Sequence, residues 1–511
     1  MINVLEYLEH SPANPNKPAF VSENSQLNFG ELSQIGQSIG SFLSTRGIFR
    51  QPIAVFMEKS PQMVSAFFGV AYGGNYYVPM DAEMPAFRIK QILETCNTPL
   101  IICDDATTAL AREWELPYPI VNFEEIATHP IDKSALAGIR RRTTEADPLY
   151  VVFTSGSTGI PKGVVASHRS VIDYIENLST VLGVGPDTVF GNQSPLYLDA
   201  CLKELYPTLK FGATTYLVPK SLFMFPVKLI EYINQHGINT ICWVASALGL
   251  VAGLGALDKN IPHTLHTIAF GSEVFPIKHF NRWREALPGT KFIHLYGPTE
   301  ATGMSTYYNA DRAFALDEAI PIGRPFPNTE VVLLDDNGKT PPQGQPGEIC
   351  IRGAGLSLGY FGDIERTQAA FMQNPQSAFP DRIYKTGDLG YIGTNGELYF
   401  VSRKDHQIKH MGHRIELAEI EWLAAKLSGI EMACAVFDNT ESKIVLYYLT
   451  QSIEKANVLA YLKANLPRYM MPHAIYELDE MPLTPGGKFD RQGLLQRYRN
   501  ERETRKQRKV D

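Results

Sequence analysis

One short stretch, YVVFTSGSTGIPKGVVASHRS (Tyr150–Ser170), constrains the fold of this chain more than any other. Tyr150–Phe153 is a β-branched and aromatic run, which is typical of a buried strand. The following six residues carry no bulky side chain: Thr154, Ser155, Gly156, Ser157, Thr158 and Gly159. Such a loop brings backbone N–H groups and hydroxyls onto one anion, and Lys162 adds a cation. The stretch therefore predicts a strand, a phosphate-binding loop and a second strand.

The loop differs from the common nucleotide-binding P-loop. That motif needs Gly-Lys followed by Ser or Thr, whereas Lys162 follows Pro161 and precedes Gly163. A flexible surface loop of Ser, Thr and Gly is the alternative interpretation. The preceding strand and the Pro-Lys-Gly ending argue against it.

Length and composition exclude several classes of protein. A chain of 511 residues is too long for one hydrophobic core, so we expect two or three domains. The net charge of −7 gives no reason to expect a nucleic-acid partner. The six cysteines are scattered without a Cys-x-x-Cys pair, which favours reduced thiols. The most apolar run, Ala247–Leu257, is about half the ~20 residues of a membrane span. We find no signal-peptide pattern at the N-terminus and expect a cytoplasmic protein without a membrane partner.

The pattern along the chain predicts an α/β fold. Strand-like and helix-like segments alternate over the first 145 residues, which favours a largely parallel sheet covered by helices. Residues 320–401 are richer in Gly and Pro and have a hairpin signal at Asn337-Gly338, so we expect a small β-rich subdomain there. Two further strands, Thr267–Phe270 and Ile293–Tyr296, each run into a glycine turn. Ligands of open α/β sheets bind beyond the carboxyl ends of such strands.

Together these motifs resemble the adenylate-forming (ANL) superfamily, which includes acyl-CoA synthetases, luciferases and the adenylation domains of non-ribosomal peptide synthetases. The loop, LNFGEL, AYGGNYYVPMD, YGPTE, YKTGDLGYI and TPGGKFDR occur in the family's order, from Asn28 to Arg491. Two departures are a missing basic residue before the AYGG segment and Ser402 in place of a glycine. The chain looks most similar to stand-alone amino-acid adenylation enzymes and D-alanine–carrier protein ligases.

The resemblance implies a domain division and a mobile part. Residues 1–404 would form the adenylation core, including the β-rich subdomain. Residues 405–511 would form a small mobile α+β domain that turns about a hinge at Asp405. Gly412 would line a tunnel for the carrier's pantetheine arm.

The resemblance also implies a site for ATP and Mg²⁺. Lys488 would meet the substrate carboxylate and the α-phosphate, with Thr299 and Glu300 as further catalytic residues and Glu300 as the metal ligand. A carboxylate beside a triphosphate makes physical sense only with a cation between them. The implied nucleotide contacts are Thr154, Ser155, Gly156, Ser157, Thr158, Gly159, Lys162, Gly271, Tyr296 (adenine), Gly297, Asp388 (ribose) and Arg403.

Asp199 bears on the class of substrate. An aspartate before an apolar helical stripe is usually an N-cap. In the family this position instead holds the α-ammonium group of an amino acid, which acyl-activating relatives do not need. The resemblance implies a pocket of Asp199, Ala200, Lys203, Cys242, Ile268, Phe270, Leu295, Gly303 and Met304.

The predicted pocket residues do not decide which side chain the substrate carries. Bulky Phe270, Leu295 and Met304 favour a small amino acid such as alanine, glycine, serine or proline. Lys203 would favour an acidic one if it faces the pocket. The expected reaction is ATP-dependent formation of aminoacyl-AMP, followed by transfer to the phosphopantetheine thiol of a separate carrier protein. An acyl-CoA synthetase and a non-catalytic adenylate-binding regulator are the alternatives.

Overall fold

The computed structural model of the chain describes residues 1–156, 159–450, 453–484 and 489–507. The helices of these residues are α1 Glu6–Glu9, α2 Phe29–Thr45, α3 Pro61–Tyr72, α4 Ala86–Cys96, α5 Asp105–Glu113, α6 Phe123–Ala127, α7 Lys133–Arg142, α8 His168–Leu182, α9 Leu202–Phe211, α10 Pro226–Gln235, α11 Ala245–Gly253, α12 Ile277–Ala286, α13 Ile364–Ala370, α14 Leu417–Ala425, α15 Lys455–Asn465 and α16 Arg491–Gln507. None of them is both long enough and apolar enough to cross a membrane.

The strands of the same residues are β1 Pro18–Val21, β2 Gln26–Asn28, β3 Pro52–Phe56, β4 Tyr76–Met80, β5 Ile101–Cys103, β6 Ile120–Asn122, β7 Pro148–Thr154, β8 Lys162–Ser167, β9 Val189–Asn192, β10 Thr214–Leu217, β11 Thr240–Val244, β12 Thr267–Gly271, β13 Lys291–Tyr296, β14 Thr306–Asn309, β15 Arg324–Pro325, β16 Thr329–Leu334, β17 Gly347–Gly353, β18 Gly359–Tyr360, β19 Phe371–Gln373, β20 Arg382–Ile392, β21 Leu398–Arg403, β22 Gln407–His410, β23 His413–Glu416, β24 Ile430–Asp438, β25 Lys443–Thr450 and β26 Ala474–Leu478.

The chain divides into two compact units. The larger, which we call the core unit, comprises Met1–Ala82, Leu93–Phe153 and Gly163–Lys404. The smaller, which we call the second unit, comprises Glu83–Ile92, Thr154–Lys162 and Asp405–Asp511. Its main segment begins at Asp405, the residue at which the sequence predicts the hinge. That this segment moves as a body stays a prediction.

Two sheets of the core unit carry the predicted strand ends. A seven-stranded sheet has the order β18-β8-β7-β4-β3-β5-β6, and its β3–β4, β3–β5, β4–β7 and β5–β6 pairs are parallel. A nine-stranded sheet has the order β15-β14-β13-β12-β11-β9-β10-β1-β2. Its strands β9 to β13 are parallel to one another, so their carboxyl ends lie along one edge. The predicted α/β class with parallel sheets is confirmed.

Local sequence accounts for the start and end of several helices. Asn28, from the LNFGEL segment, caps α2 by accepting from the Glu31 N–H, and the Glu31 side chain accepts from the Asn28 N–H in return. Ser167 caps α8 in the same way, and α8 ends at Gly183 with a left-handed φ of 75°. The cap places α8 directly after β8, the strand that follows the glycine loop.

The remaining sheets are smaller. In the core unit, β16, β17, β20, β19 and β21 form an antiparallel sheet, within the segment for which the sequence predicts a β-rich subdomain. The second unit contains the β22–β23 hairpin and the β24-β25-β26 sheet, with α14 and α15 packed on a core that includes Ile415, Ile420 and Leu446. This is the predicted α+β composition of the C-terminal part.

Candidate functional site

The glycine loop follows β7, whose residues from Leu149 onward are buried. Ser155 is almost fully buried and donates its hydroxyl hydrogen to the Arg414 carbonyl at 2.8 Å, within the second unit. A Cβ on Gly156 would lie 2.0 Å from the Ile160 carbonyl oxygen, so the chain there admits only glycine. The Gly159 N–H closes the turn on the Gly156 carbonyl at 3.0 Å, with a φ of 77°. Ser157 and Thr158 lie outside the described residues.

A buried ion pair lies beside the loop in the second unit. Arg88 Nη1 and Glu419 Oε1 are 2.6 Å apart, and both side chains are buried. Burial raises the pKa of the Glu419 carboxyl, while Arg88, the Ser155 hydroxyl and the Gly156 N–H oppose that rise. Neither Arg88 nor Glu419 was singled out by sequence, because a lone charge on a helix usually faces water.

Asp388 in the core unit forms the centre of a small polar cluster. Tyr296, the last residue of β13, donates its hydroxyl hydrogen to Asp388 Oδ2 at 2.6 Å. Arg403 Nη1 donates to Asp388 Oδ1 at 2.5 Å, because β20 and β21 pair with these two residues directly opposite each other. Three residues that the sequence assigns to the nucleotide are thus brought together, and both oxygens of the carboxylate are oriented.

Glu300, a predicted catalytic residue, has none of its surface exposed. It lies in a short 3₁₀ turn, Thr299–Ala301, directly after β13. Tyr360 of β18 donates its hydroxyl hydrogen to Glu300 Oε1 at 2.7 Å. Sequence reasoning missed Tyr360, which lies 60 positions along the chain and meets Glu300 only because β18 pairs with β8.

The surroundings of Glu300 fit a magnesium ion in their chemistry. Thr302 follows Glu300 by two positions, and the Ser357 N–H donates to the Glu300 carbonyl at 2.9 Å. The hydroxyls of Thr302 and Ser357 are buried and form no hydrogen bond within the described residues. Mg²⁺ is usually bound by one or two carboxylates together with substrate phosphates, so Glu300 suits this ion.

Gly271 and Gly297 mark close approaches of the backbone at the ends of β12 and β13. A Cβ on Gly271 would lie 2.2 Å from the Leu295 carbonyl oxygen, and one on Gly297 would lie 2.3 Å from the Gly303 carbonyl oxygen. Larger residues would separate these strand ends. The two predicted turns therefore lie at the same edge of the nine-stranded sheet, as expected.

Asp199 lies half-buried in a 3₁₀ turn, Asp199–Cys201, before α9. It is the N-cap of neither element, since those positions are Leu198 and Cys201. Burial, together with the nearby Cys242, Asp199 and Glu204, raises the pKa of the Tyr174 hydroxyl on α8 well above its usual value. A Cβ on Gly303 would lie 2.9 Å from the Tyr174 ring. Tyr174, unpredicted by sequence, thus lies among the predicted pocket residues Asp199, Cys242 and Gly303.

The predicted pocket residues fall into two hydrophobic cores. Cys242, Leu295 and Met304 pack in one hydrophobic core together with Tyr174. Ile268 and Phe270 belong instead to a second core, where Phe270 stacks on His294 at 4.9 Å between ring centroids. Side chains alternate between the faces of a strand, so Ala269 of β12 lies on the Cys242 side. Phe270 and Cys242 therefore pack in different cores, and a pocket lined by both stays a prediction.

Lys203 and Glu204 of α9 are both buried, as are the apolar residues on either side of them. Glu204 Oε2 accepts from Asn192 Nδ2 at 3.1 Å. Burial raises the pKa of Glu204 to about 7, and Lys203 and Lys59 oppose the rise. Ala200, also predicted for the pocket, lies half-buried in the turn before α9.

Other predicted residues lie in the second unit. Lys162 is half-buried at the start of β8. Asp405 Oδ1 accepts from the Gln407 N–H at 3.2 Å. Gly412, with a φ of 78°, forms the tip of the β22–β23 hairpin together with Met411. Lys488, the predicted catalytic lysine, lies outside the described residues.

Comparison with known proteins agrees with these features. The model of the AMP-binding enzyme family matches residues 8–361. Bacitracin synthase 1 of Bacillus licheniformis is 32% identical over 494 residues, which cover 95% of this chain and 9% of that protein. The chain therefore spans about a tenth of this relative. Zwittermicin A synthase ZmaJ of Bacillus cereus is 31% identical over 493 residues, which cover 94% of this chain and 92% of that protein.

Solved structures show the same fold. Holo-PA1221, an NRPS protein containing adenylation and PCP domains, has a TM-score of 0.80 and 23% identity, covering 97% of this chain and 84% of that one. The o-succinylbenzoate CoA synthetase of Bacillus subtilis has a TM-score of 0.82 and 20% identity, covering 96% and 98%. With motifs, buried polar clusters and sequence relatives in agreement, the chain belongs to the AMP-binding enzyme family of adenylate-forming (ANL) proteins and is homologous to the adenylation domains of non-ribosomal peptide synthetases.

Proposed function

We propose that the protein activates an amino acid with ATP and transfers it to the phosphopantetheine thiol of a separate carrier protein. The observation that carries the proposal is the buried Asp388, oriented by Tyr296 and Arg403, in the same unit as the fully buried Glu300. Two oriented, buried carboxylates suit a nucleotide with vicinal hydroxyls and metal-bound phosphates. Homology to peptide synthetases supports an amino acid as the second reactant.

In the first step, a carboxylate oxygen of the substrate attacks the α-phosphorus of ATP. The bond from that phosphorus to the bridging oxygen breaks, and pyrophosphate leaves. Both reactants are anions, so the enzyme must position them and neutralise charge. Thr154, Ser155 and Lys162 would hold the leaving phosphates, and Lys488 would meet the carboxylate and the α-phosphate. Mg²⁺ held by Glu300 would neutralise the phosphate oxygens.

Asp388 would accept hydrogen bonds from both ribose hydroxyls. Its own bonds to Tyr296 and Arg403 fix the direction of its lone pairs before ATP arrives. Asp199 would hold the α-ammonium group, because a desolvated ammonium needs a carboxylate partner. In the second step, the carrier thiol attacks the acyl carbon and AMP leaves.

Two points of the proposal concern substrate and partner. A small amino acid is the first candidate and an acidic one the second, the choice depending on Lys203. A carrier protein as partner is supported by a fold neighbour that contains adenylation and PCP domains in one protein, and a carrier on a separate chain stays a prediction. An acyl-CoA synthetase remains the alternative, since such an enzyme is also among the fold neighbours.

Amino-acid-dependent ATP–pyrophosphate exchange tests the first step. We expect exchange with one amino acid, or with a few related ones, across the proteinogenic and D-amino acids. Offering the thioester step either CoA or a phosphopantetheinylated carrier then separates the two enzyme classes. Exchange with fatty or aryl acids but with no amino acid would reject the proposal. If no acid supports exchange although AMP binds tightly, a non-catalytic adenylate-binding regulator would be favoured.

A further inference from the structure

Lys203, which the sequence predicts for the pocket, and its neighbour Glu204 are charged and buried. Lys203 and Glu204 are 4% and 0% exposed, and Leu202 and Leu205 beside them are buried as well. Lysine and glutamate are almost never fully buried unless they are paired. Their burial at this point needs an explanation in terms of a binding partner.

The chain satisfies the two groups only in part. Glu204 Oε1 has no hydrogen-bond partner within the described residues, although its second oxygen accepts from Asn192. Lys59, whose charge also acts on Glu204, donates to the carbonyls of Asn192 and Gln193 at 3.2 and 3.3 Å. Lys203 makes no hydrogen bond or ion pair among the residues that the structure describes.

Further buried polar atoms without a hydrogen-bond partner among the described residues lie near the end of β9. Asn192 is the last residue of β9, and Ser194 follows two residues later. Asn192 Oδ1 and Ser194 Oγ are buried without a partner in the described part of the chain. Strand ends at this edge are where an α/β sheet binds its ligand. Leu202 and Leu205, which flank the two charged residues on α9, pack in one hydrophobic core with the predicted pocket residues Cys242 and Met304.

We propose that the substrate is an amino acid with a neutral polar side chain, a hydroxyl or a carboxamide, which accepts a hydrogen bond from Lys203 and donates one to Glu204. This inference rests on the proposed adenylation of an amino acid. An aliphatic side chain would leave Lys203 and the Oε1 atom of Glu204 without a hydrogen bond among the described residues, which is costly. A carboxylate would face Glu204, and an ammonium group would face Lys203. A side chain with one donor and one acceptor satisfies both.

Matched pairs of amino acids test the inference in ATP–pyrophosphate exchange. The pairs are serine with alanine, threonine with valine, asparagine with aspartate, and glutamine with glutamate. We expect the polar neutral member of at least one pair to exceed its partner about 10⁴-fold or more in kcat/KM, the scale for a site that hydrogen-bonds the group. An apolar or acidic member that equals or exceeds its partner in every pair would overturn the inference.

Two variants assign the roles of the residues. Lys203→Met should reduce the preference for the polar member to about tenfold or less, because the donor is lost. Glu204→Gln should admit the acidic member of a pair, because the opposing charge is removed. Lys210→Met is the control, since Lys210 lies on the same helix and pairs with Glu176 away from the pocket. An unchanged preference in a folded Lys203→Met protein counts against the inference, and the wild-type panel decides if that variant does not fold.

Failure of the inference and failure of the proposed function give different results. If only apolar or only acidic amino acids support exchange, the adenylation activity stands and the polar substrate is rejected. If no amino acid supports exchange but other carboxylic acids do, the proposed function itself is rejected.

Discussion

At the scale of single residues, the orientation of Glu300 depends on Tyr360. The carboxylate is fully buried, and the Tyr360 hydroxyl lies 2.7 Å from its Oε1. A buried carboxylate with a fixed donor keeps one direction for its second oxygen. Tyr360 is therefore a positioning residue for the proposed metal ligand, and it acts without contacting the substrate.

Tyr360→Phe should reduce the free energy of unfolding by about 1.5–3 kcal/mol, because a buried hydrogen bond to a carboxylate is lost. The variant should also need more Mg²⁺ for half-maximal pyrophosphate exchange. Urea unfolding and a Mg²⁺ titration measure the two effects. Tyr448→Phe is the control, since the Tyr448 hydroxyl is buried without a partner in the described residues. Equal stability losses in both variants would contradict the role of Tyr360.

Glu204 should make stability depend on pH. Burial raises its pKa from 4.5 to about 7, so between these values the folded protein binds more protons at this carboxyl than the unfolded chain. Its contribution to stability is complete below about pH 4.5 and is lost as the pH rises through about 7. At 1.36 kcal/mol per pKa unit, the loss is about 3 kcal/mol.

Glu204→Gln should remove that part of the pH dependence. Urea unfolding of both proteins at several pH values between 4.5 and 7 measures their free energies of unfolding. As the pH rises, the wild-type protein should lose stability relative to the variant. Glu285→Gln, at an exposed position on α12, is the matched control and should follow the wild-type curve. A pH dependence identical in Glu204→Gln and wild type would show that Glu204 titrates normally.

At the scale of elements, the glycine loop depends on the backbone more than on its side chains. Gly156 has no room for a Cβ, and Ser155 donates to a backbone carbonyl. Loop shape is therefore set by a tight turn between β7 and β8. Because the two strands are neighbours in the seven-stranded sheet, both ends of the loop are fixed.

Gly156→Ala should lower kcat/KM for ATP about 100-fold, since a displacement near 1 Å of positioning groups has effects of that size. The added Cβ would lie 2.0 Å from the Ile160 carbonyl oxygen, so the turn must open. Gly185→Ala is the control, because no atom lies within 4 Å of its added Cβ and its φ is not left-handed. An unaltered kcat/KM for ATP in Gly156→Ala would mean that the loop does not hold the phosphates.

At the scale of the whole molecule, the second unit gathers residues from three parts of the chain. Glu83–Ile92 and Thr154–Lys162 join Asp405–Asp511 in it. The buried pair of Arg88 and Glu419 connects the first and third of these segments. A buried pair is costly to break because one charge then remains without a partner.

Arg88→Met should reduce the free energy of unfolding by about 3–5 kcal/mol, because it leaves Glu419 buried and unpaired. The double variant Arg88→Met/Glu419→Leu should recover much of the loss. Urea unfolding of both variants measures this. Arg497→Met, which removes an exposed pair with Glu501, should change stability by only about 0.3–0.5 kcal/mol. A double variant no more stable than Arg88→Met would show that packing, rather than charge, holds the segments.

A substitution of Lys488 should impair the first half-reaction and leave the second largely intact. Lys488→Ala should lower the rate of adenylation by about 10²–10³ or more, the scale of one lost donor to developing charge. Thioester formation from supplied aminoacyl-adenylate should continue, because the proposed hinge motion at Asp405 withdraws Lys488 for that step. Pyrophosphate exchange and carrier loading measure the two steps. Equal loss of both would reject this role.

The amino-acid sequence by itself determined the class of fold and the family. Strand and helix periodicity is local, so the parallel sheets, the loop after β7 and the turns after β12 and β13 were predictable. The motif order from Asn28 to Arg491 then identified Asp388, Glu300 and Tyr296 without knowledge of their contacts.

Only the tertiary structure decided which side chains share a surface. The face of β12 depends on its register with β11 and β13, and a displacement of one residue exchanges Ala269 for Phe270. Tyr360 and Tyr174 reach the site from distant segments, through strand and helix packing that no local pattern encodes. The burial of Lys203 and Glu204 is likewise a property of all the elements around α9, because desolvation depends on every neighbour at once.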